Sequence, residues 1–365
     1  MKTSGKFVIG SLAAGTVVAG AALGLGAVFA GRKLFSELQK IRGQGLGALG
    51  LAGEDLRGQT VFVTGSSRGL GLAMAEEFGR HGCNVALCAR DGDELSRARE
   101  QVSRHGVQVH TIVCDVSDQQ EAERAVAEAR QHFGRIDILV NNAGVISVGP
   151  LLTQTLEDFK EAMDVMFWGT VYPTLAVLPQ MVQRGEGRIV NITSIGGKVS
   201  VPHLVPYNCA KFAAVGFSEG LYAELRRYGI HVLTVVPGLM RTGSHLNAQF
   251  KGKHQKEYLW FALSGTNPLF SISVERAARQ IVNATRRKQA ELIISWQAEL
   301  LARSHGALPE ITLRALALAN QLLPDAEGAS REKKPGHESQ SAVTRSPLTT
   351  LGERAASRYN QRKPA

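Results

Sequence analysis

The sequence predicts a doubly wound α/β fold, a seven-stranded parallel sheet with helices on both faces, with an N-terminal transmembrane helix added in front. Three observations predict it. Seven short runs rich in Val and Ile recur along the chain, amphipathic stretches of helical length separate most of them, and residues 7–30 carry no charged side chain. Strands buried on both faces read as continuous apolar runs, and parallel neighbours need a crossover between them.

The uncharged run, FVIGSLAAGTVVAGAALGLGAVFA, would span roughly 36 Å as a helix, enough to cross a bilayer. A membrane anchor is preferred over a cleaved signal peptide ending at Ala30 and over a glycine-rich buried hairpin. The run is long for a signal core, and nothing downstream looks disulfide-stapled. Lys2 and Lys6 precede it and Arg32, Lys33, Lys40 and Arg42 follow it, which favours a single pass with the body facing the cytoplasm. Gly20 and Gly24 form a GxxxG of the kind that pairs helices. Residues 32–55 read as a Gly-rich linker.

The body, residues 56–296, then runs through TVFVTG, NVALCAR, VQVHTIVCD, IDILVNNAG, GRIVNITS, IHVLTVVPG and ELIISW. Gly82, Gly106, Gly134 and Gly229 stand where a helix closes before a strand and a left-handed residue is wanted. Ser117 with Gln120 gives a capping-box pattern, and Ser273 precedes the last long helix of the sheet. Residues 297–325 read as two helices. Ile311, Ala315, Leu318 and Leu322 form one stripe, expected to pack on the body, with membrane-surface contact as the alternative. Past Pro324 the chain turns polar and aperiodic, so residues 326–365 are expected to be a basic disordered tail.

Composition excludes some functions. The 365 residues carry a formal charge of +10, but eight Lys/Arg against three Glu fall after residue 330. About half the surplus therefore sits in the tail, and no basic helix interleaved with aromatics marks a nucleic-acid interface. Cys83, Cys88, Cys114 and Cys209 show neither CxxC spacing nor disulfide density, which suits a reducing compartment, and no metal is expected.

The first strand ends in TGSSRGLG, Thr64 to Gly71. Glycines at a strand-to-helix turn let the backbone approach a pyrophosphate seated on the next helix's N–H groups, so Thr64, Gly65, Ser67, Arg68, Gly69, Leu70 and Gly71 are candidate cofactor contacts. The second strand ends in Ala89 and Arg90 with no carboxylate for a ribose hydroxyl. Arg68 and Arg90 converging there favour the 2′-phosphate of NADP over NAD. Asp115, closing the third strand, is placed to accept from the adenine amino group.

TGSSRGLG, NNAG at Asn141 to Gly144, Ser194 thirteen residues before Tyr207, YNCAK and PGLMRT together resemble the short-chain dehydrogenase/reductase family, in the same order along the chain. The resemblance covers about residues 56–296. The Gly65–Gly69 spacing looks like that family's single-domain oxidoreductase branch. It implies a Rossmann-type domain, reversible hydride transfer between a nicotinamide and a carbonyl/alcohol pair, and a homodimer or homotetramer. Asn142, Ala143 and Gly144 would lie beside the nicotinamide, and Pro237, Gly238 and Thr242 near its carboxamide. The family's helical asparagine is replaced by Met166, which cannot support a water-linked proton relay. That is the one support for a rival reading, a cofactor-binding sensor or scaffold with little turnover.

The residues carry the chemistry on their own terms too. Hydride delivery to a ketone builds negative charge on its oxygen, which needs a donor and a proton source. Tyr207 and Lys211, four apart on one helix face, place an ammonium near a phenol and so lower its pKa, while Ser194 can hold the substrate oxygen. Residues 243–266 form a candidate substrate lid lined by Phe250, Tyr258, Trp260 and Phe261, with Lys251, Lys253, His254 and Lys256 as a solvated face. An aromatic lid beside a membrane anchor suggests a lipophilic carbonyl of steroid, retinoid, long-chain acyl or sphingoid type.

Overall fold

Each of the seven apolar runs forms a strand, and each amphipathic stretch between them a helix. The structure, a computed structural model, describes residues 53–267, 270–341, 344 and 350–362; the predicted anchor and most of its linker lie outside the described residues. The order is β1 (Thr60–Thr64), α1 (Gly69–Arg80), β2 (Asn84–Ala89), α2 (Gly92–Ser103), β3 (Val109–Val113), α3 (Gln119–Phe133) and β4 (Ile138–Asn141). Next come α4 (Leu156–Met163), α5 (Gly169–Arg184), β5 (Gly187–Ile192), α6 (Val205–Leu225) and β6 (Ile230–Pro237). The chain then runs through α7 (His254–Thr266), α8 (Val274–Arg286), β7 (Glu291–Ile294), α9 (Trp296–Ala307), α10 (Pro309–Asn320) and α11 (Thr350–Arg358).

The strands form one parallel sheet in the order β7-β6-β5-β4-β1-β2-β3. Chain order reverses between β1 and β4, so a crevice opens there at the carboxyl ends of the strands. The two-residue period of a strand divides its side chains between two cores. Val61 and Val63 join Leu72 and Phe78 of α1 and Ile281 of α8 on one face, whereas Phe62 joins Ala125 and Ala129 of α3 and Val177 of α5 on the other. A buried polar ladder also crosses the sheet. Asn141 Nδ2 donates to Asn191 Oδ1 (2.8 Å), Asn191 Nδ2 to Ser218 Oγ (2.9 Å), and the Ser218 and Thr234 hydroxyls bond at 2.7 Å.

Local signals are mostly read correctly. Gly82, Gly106, Gly134 and Gly229 have φ of 78°, 74°, 79° and 73°, and the Ser273 side chain caps α8 by accepting from Arg276 N–H. The capping box at Ser117 does not form. Asp118, one residue later, accepts from Glu121 N–H, and Ser117 instead donates to Asp115.

Three expectations outside the sheet are corrected. The α10 stripe faces solvent, with Ile311 62% and Leu318 64% exposed, while Thr312, Leu316 and Ala319 on the neighbouring face are buried. Lys251 is buried, ion-paired with Asp158, which also meets Lys333 Nζ at 3.0 Å. The tail is structured at its described residues: Ser330–Pro335 pairs antiparallel with Gln249–Gly252, and α11 packs on α7. Backbone pairing and a Lys–Asp–Lys cluster hold this segment, neither of which leaves a trace in hydrophobic periodicity.

Candidate active site

The turn after β1 is shaped by close backbone approach. Gly65 and Gly69 have φ of 61° and 59°, which L side chains rarely adopt. A Cβ on Gly65 would stand 2.8 Å from Ala143 Cα, and one on Gly71 would strike the Gly65 carbonyl. Asn142 Nδ2 fastens β4's end to this turn by donating to the Thr64 and Gly65 carbonyls, 3.0 Å each.

The crevice has a volume of about 1110 Å³, ample for a dinucleotide and a small substrate. Gly65, Ser67, Arg68, Gly69, Leu70, Gly71, Arg90, Asp115, Asn142, Ala143, Gly144, Ser194, Tyr207, Lys211, Pro237, Gly238 and Thr242 all line it. Thr64 does not. Its hydroxyl accepts from the N–H groups of Asn142 (2.9 Å) and Ala143 (3.2 Å), so it ties β1 to β4 from below the crevice floor.

The two arginines line the crevice, each beside a carboxylate. Arg68 Nη1 lies 3.0 Å from Glu94 Oε1, and Ser67 Oγ donates to Glu94 Oε2 at 2.8 Å. Arg90 Nη1 is 3.6 Å from Asp115 Oδ2 and its side chain is 62% exposed. Asp115 also accepts from Ser117 N and Oγ; burial works against its charge, yet these bonds and Arg90 hold its carboxyl below the usual range. Glu94, buried at the third position of α2, was not legible as a site residue. The signal it carries, an acid in a helix's first turn, is shared by ordinary surface helices.

Ser194 stands two residues past the end of β5 and its Oγ accepts from Gly196 N–H at 3.0 Å. The Ser194 hydroxyl favours the phenolate of Tyr207, yet burial dominates and pushes the phenol above its ordinary pKa. Lys211 Nζ sits 5.9 Å from the Tyr207 ring centroid and donates to Ile192 O at 2.9 Å. Its burial lowers its pKa to about 8. The expected lowering of the Tyr207 pKa by Lys211 is therefore not found. Desolvation of the enclosed phenol is the largest influence on it, and Lys211, 5.9 Å from the ring centroid and bonded to the Ile192 carbonyl, does not offset it.

Met166 is buried in a π-helical turn, Asp164–Trp168, packed with Ala162, Ala210 and Tyr207. Its thioether lines the crevice and would lie 3.7 Å from a Cβ on Gly144. Of the predicted lid aromatics, Trp260 and Phe261 line the crevice, while Phe250 and Tyr258 are fully buried behind them. An unpredicted pair braces this wall. His203 Nδ1 bonds Glu257 Oε2 at 2.9 Å, and Trp260 Nε1 donates to the same oxygen at 2.7 Å, linking the entry to α6 with α7.

A Rossmann-type sheet that brings a serine, a tyrosine and a lysine to a glycine-lined crevice is the architecture of an oxidoreductase. The profile of the short chain dehydrogenase family matches residues 59–251, and the chain belongs to that family. It is 38% identical over 198 residues to the dehydrogenase/reductase SDR family protein 7-like of Anopheles gambiae, covering 53% of this chain and 62% of that one. It is 29% identical over 275 residues to dehydrogenase/reductase SDR family member 7B of Xenopus laevis, 74% of this chain and 81% of that one. The crystal structure of L-sorbose reductase from Gluconobacter frateurii, complexed with NADPH and L-sorbose, is similar with a TM-score of 0.60 and 27% identity. That likeness covers 66% of this chain and 97% of the reductase.

Proposed function

We propose that the protein is an NADP(H)-dependent reductase/dehydrogenase that interconverts a lipophilic ketone or aldehyde and its alcohol, with Tyr207 as the acid/base. The observation that carries this is the convergence of Ser194, Tyr207 and Lys211 on a crevice whose substrate end is apolar, with Ile146, Leu204, Trp260, Phe261 and Leu301 among its walls. A dinucleotide held along the glycine turn by Gly65, Ser67, Arg68 and Gly69, with Arg90 beside it, would supply or accept the hydride. Ser194 holds the substrate oxygen, and the phenol gives that oxygen a proton on reduction or takes one on oxidation. Lys211 fixes the far side of the phenol and offers hydrogen bonds to the cofactor ribose.

NADP over NAD rests on Arg68 and Arg90, supported by the NADPH of the sorbose reductase complex. The expected result is that NADPH is oxidised with lipophilic ketones. Arg68→Ala with Arg90→Ala raises the NADPH Kd by about 10–100-fold, as loss of one or two charge-assisted hydrogen bonds requires, and leaves NADH within about twofold. Equal losses for both nucleotides, measured by fluorescence titration, would reject the 2′-phosphate reading.

Residues 7–30 anchor the protein in a membrane in a single pass, with residues 56–296 on the cytoplasmic side. The chain is therefore expected in the membrane fraction after a high-salt wash, and a chain lacking residues 1–31 in the supernatant. The shorter chain staying with the membranes would place the attachment elsewhere. Exposed Leu175 and Val182 on α5 and Phe212 on α6 are suited to self-association into a dimer or tetramer, which light scattering of the same shorter chain reads directly.

A further inference from the structure

The C-terminal segment reaches back to the glycine turn. α11 is seated by close packing: the missing side chain of Gly243 faces Ala356 Cβ at 2.5 Å, and that of Gly352 faces Thr266 Cγ2 at 2.5 Å. Tyr359, 1% exposed, inserts into the core shared by α1 and α8. The next residues cross the mouth of the crevice. Gly69 N–H donates to the Tyr359 carbonyl at 2.9 Å, and Asn360 Nδ2 donates to the Ser67 carbonyl at 3.1 Å. Asn247 Nδ2, on the substrate loop, donates to both the backbone carbonyl (2.9 Å) and Oε1 (2.6 Å) of Gln361.

These bonds join two walls that a bound dinucleotide must lie between. Gln361 is buried, lines the crevice, and its Nε2 stands 2.5 Å from where a Cβ on Gly69 would be. Gly69 is thus bare toward this chain's own tail as well as toward a ligand. The crevice keeps about 1110 Å³ with the tail in place, so the segment roofs the site and does not fill it. At the start of α1, Gly69 N–H is given to the Tyr359 carbonyl and Leu72 N–H to the Arg68 carbonyl, which leaves the N–H groups of Leu70 and Gly71, both crevice-lining residues, for an anion.

We propose that Tyr359–Gln361 form a strap that completes the dinucleotide site, with Gln361 as a positioning residue that clamps the glycine turn to the substrate loop and slows cofactor release. The inference rests on the nicotinamide-cofactor reading above. The carboxamide meets the pyrophosphate end that NADPH and NADH share, so its loss acts on both nucleotides alike, unlike loss of Arg68 and Arg90.

The test is stopped-flow release of NADPH and NADH from the full chain, from a chain ending at Asn360, and from Gln361→Ala and Gln361→Glu. The expected result is release about tenfold faster for both nucleotides in the first two variants, the rate change that one lost hydrogen bond of ordinary strength gives. Release is faster still in Gln361→Glu, where a carboxylate faces the pyrophosphate, and that excess shrinks at high salt. Gln361→Glu keeps the acceptor for Asn247, so a purely structural role would leave it close to wild type, and thermal melting of each variant separates unfolding from loss of the clamp. Release unchanged in all three variants, or slower, would overturn the strap while leaving the cofactor reading intact. Failure of the full chain to bind either nucleotide would overturn both.

Discussion

Tyr207→Phe is expected to lower kcat by about 10³-fold, within the range that a single positioned acid/base supplies, while the NADPH Kd stays within about twofold. The ring packs against Met166 and Ala210, so phenylalanine keeps the shape and removes only the hydroxyl. The protonation state makes the prediction directional. Burial holds the phenol above its ordinary pKa, more than offsetting the influence of the Ser194 hydroxyl, so at neutral pH it carries its proton and is set to deliver it to a developing alkoxide. Carbonyl reduction should therefore be flat across neutral pH and fall only as the phenol ionises in the alkaline range. Alcohol oxidation, which needs the phenolate, should rise over that same range. Single-turnover rates in both directions against pH check this; full retention of turnover in Tyr207→Phe would move the acid/base role to another group.

How much of this was legible beforehand follows from the range of the interactions involved. The sheet was readable because each strand announces itself locally, as the apolar runs IDILV and IHVLTVV do, although which core Val61 or Phe62 joins is not written in a run that is apolar throughout. The crevice was readable for a related reason: the turn glycines, Ser194, Tyr207 and Lys211 sit at strand ends or on one helix turn, where short spacing fixes geometry. What escaped depends on distant partners. Lys251 reads as one of a run of surface cations, and only Asp158, brought in from the start of α4, makes it a buried ion pair. Glu94 reads as a helix-leading acid until Ser67 and Arg68 fold against it. Gln361 lies in a stretch with no periodicity, and it becomes part of the site only because glycines at 69, 243 and 352 leave room for the tail. Thr64 shows the converse error. It stands inside a motif yet points down, since β1's alternation puts its hydroxyl toward β4.

Lys211→Met is expected to cost activity and raise stability together. The ammonium is 5% exposed and its single hydrogen bond in the described residues goes to the Ile192 carbonyl. Burial lowers its pKa from 10.5 to about 8, a difference of roughly 3 kcal/mol against the charged form. The unfolded chain therefore binds more protons than the folded one between about pH 8 and 10.5, so wild-type stability rises with pH across that window. Methionine is close in length and carries no charge to desolvate, and it forgoes about 1 kcal/mol for the hydrogen bond to Ile192. The variant should accordingly be more stable than wild type by roughly 2 kcal/mol at pH 7, with the gap closing as pH climbs toward 10. Its kcat should fall about 10²-fold or more, because neither phenol nor ribose has a partner on that side. Chemical denaturation at pH 7, 8.5 and 10 beside initial rates decides it. A variant that is less stable at pH 7 would mean that Lys211 is held by the fold for its own sake. A more stable and inactive one means that the fold bears a buried amine at the head of the crevice because the chemistry there requires it.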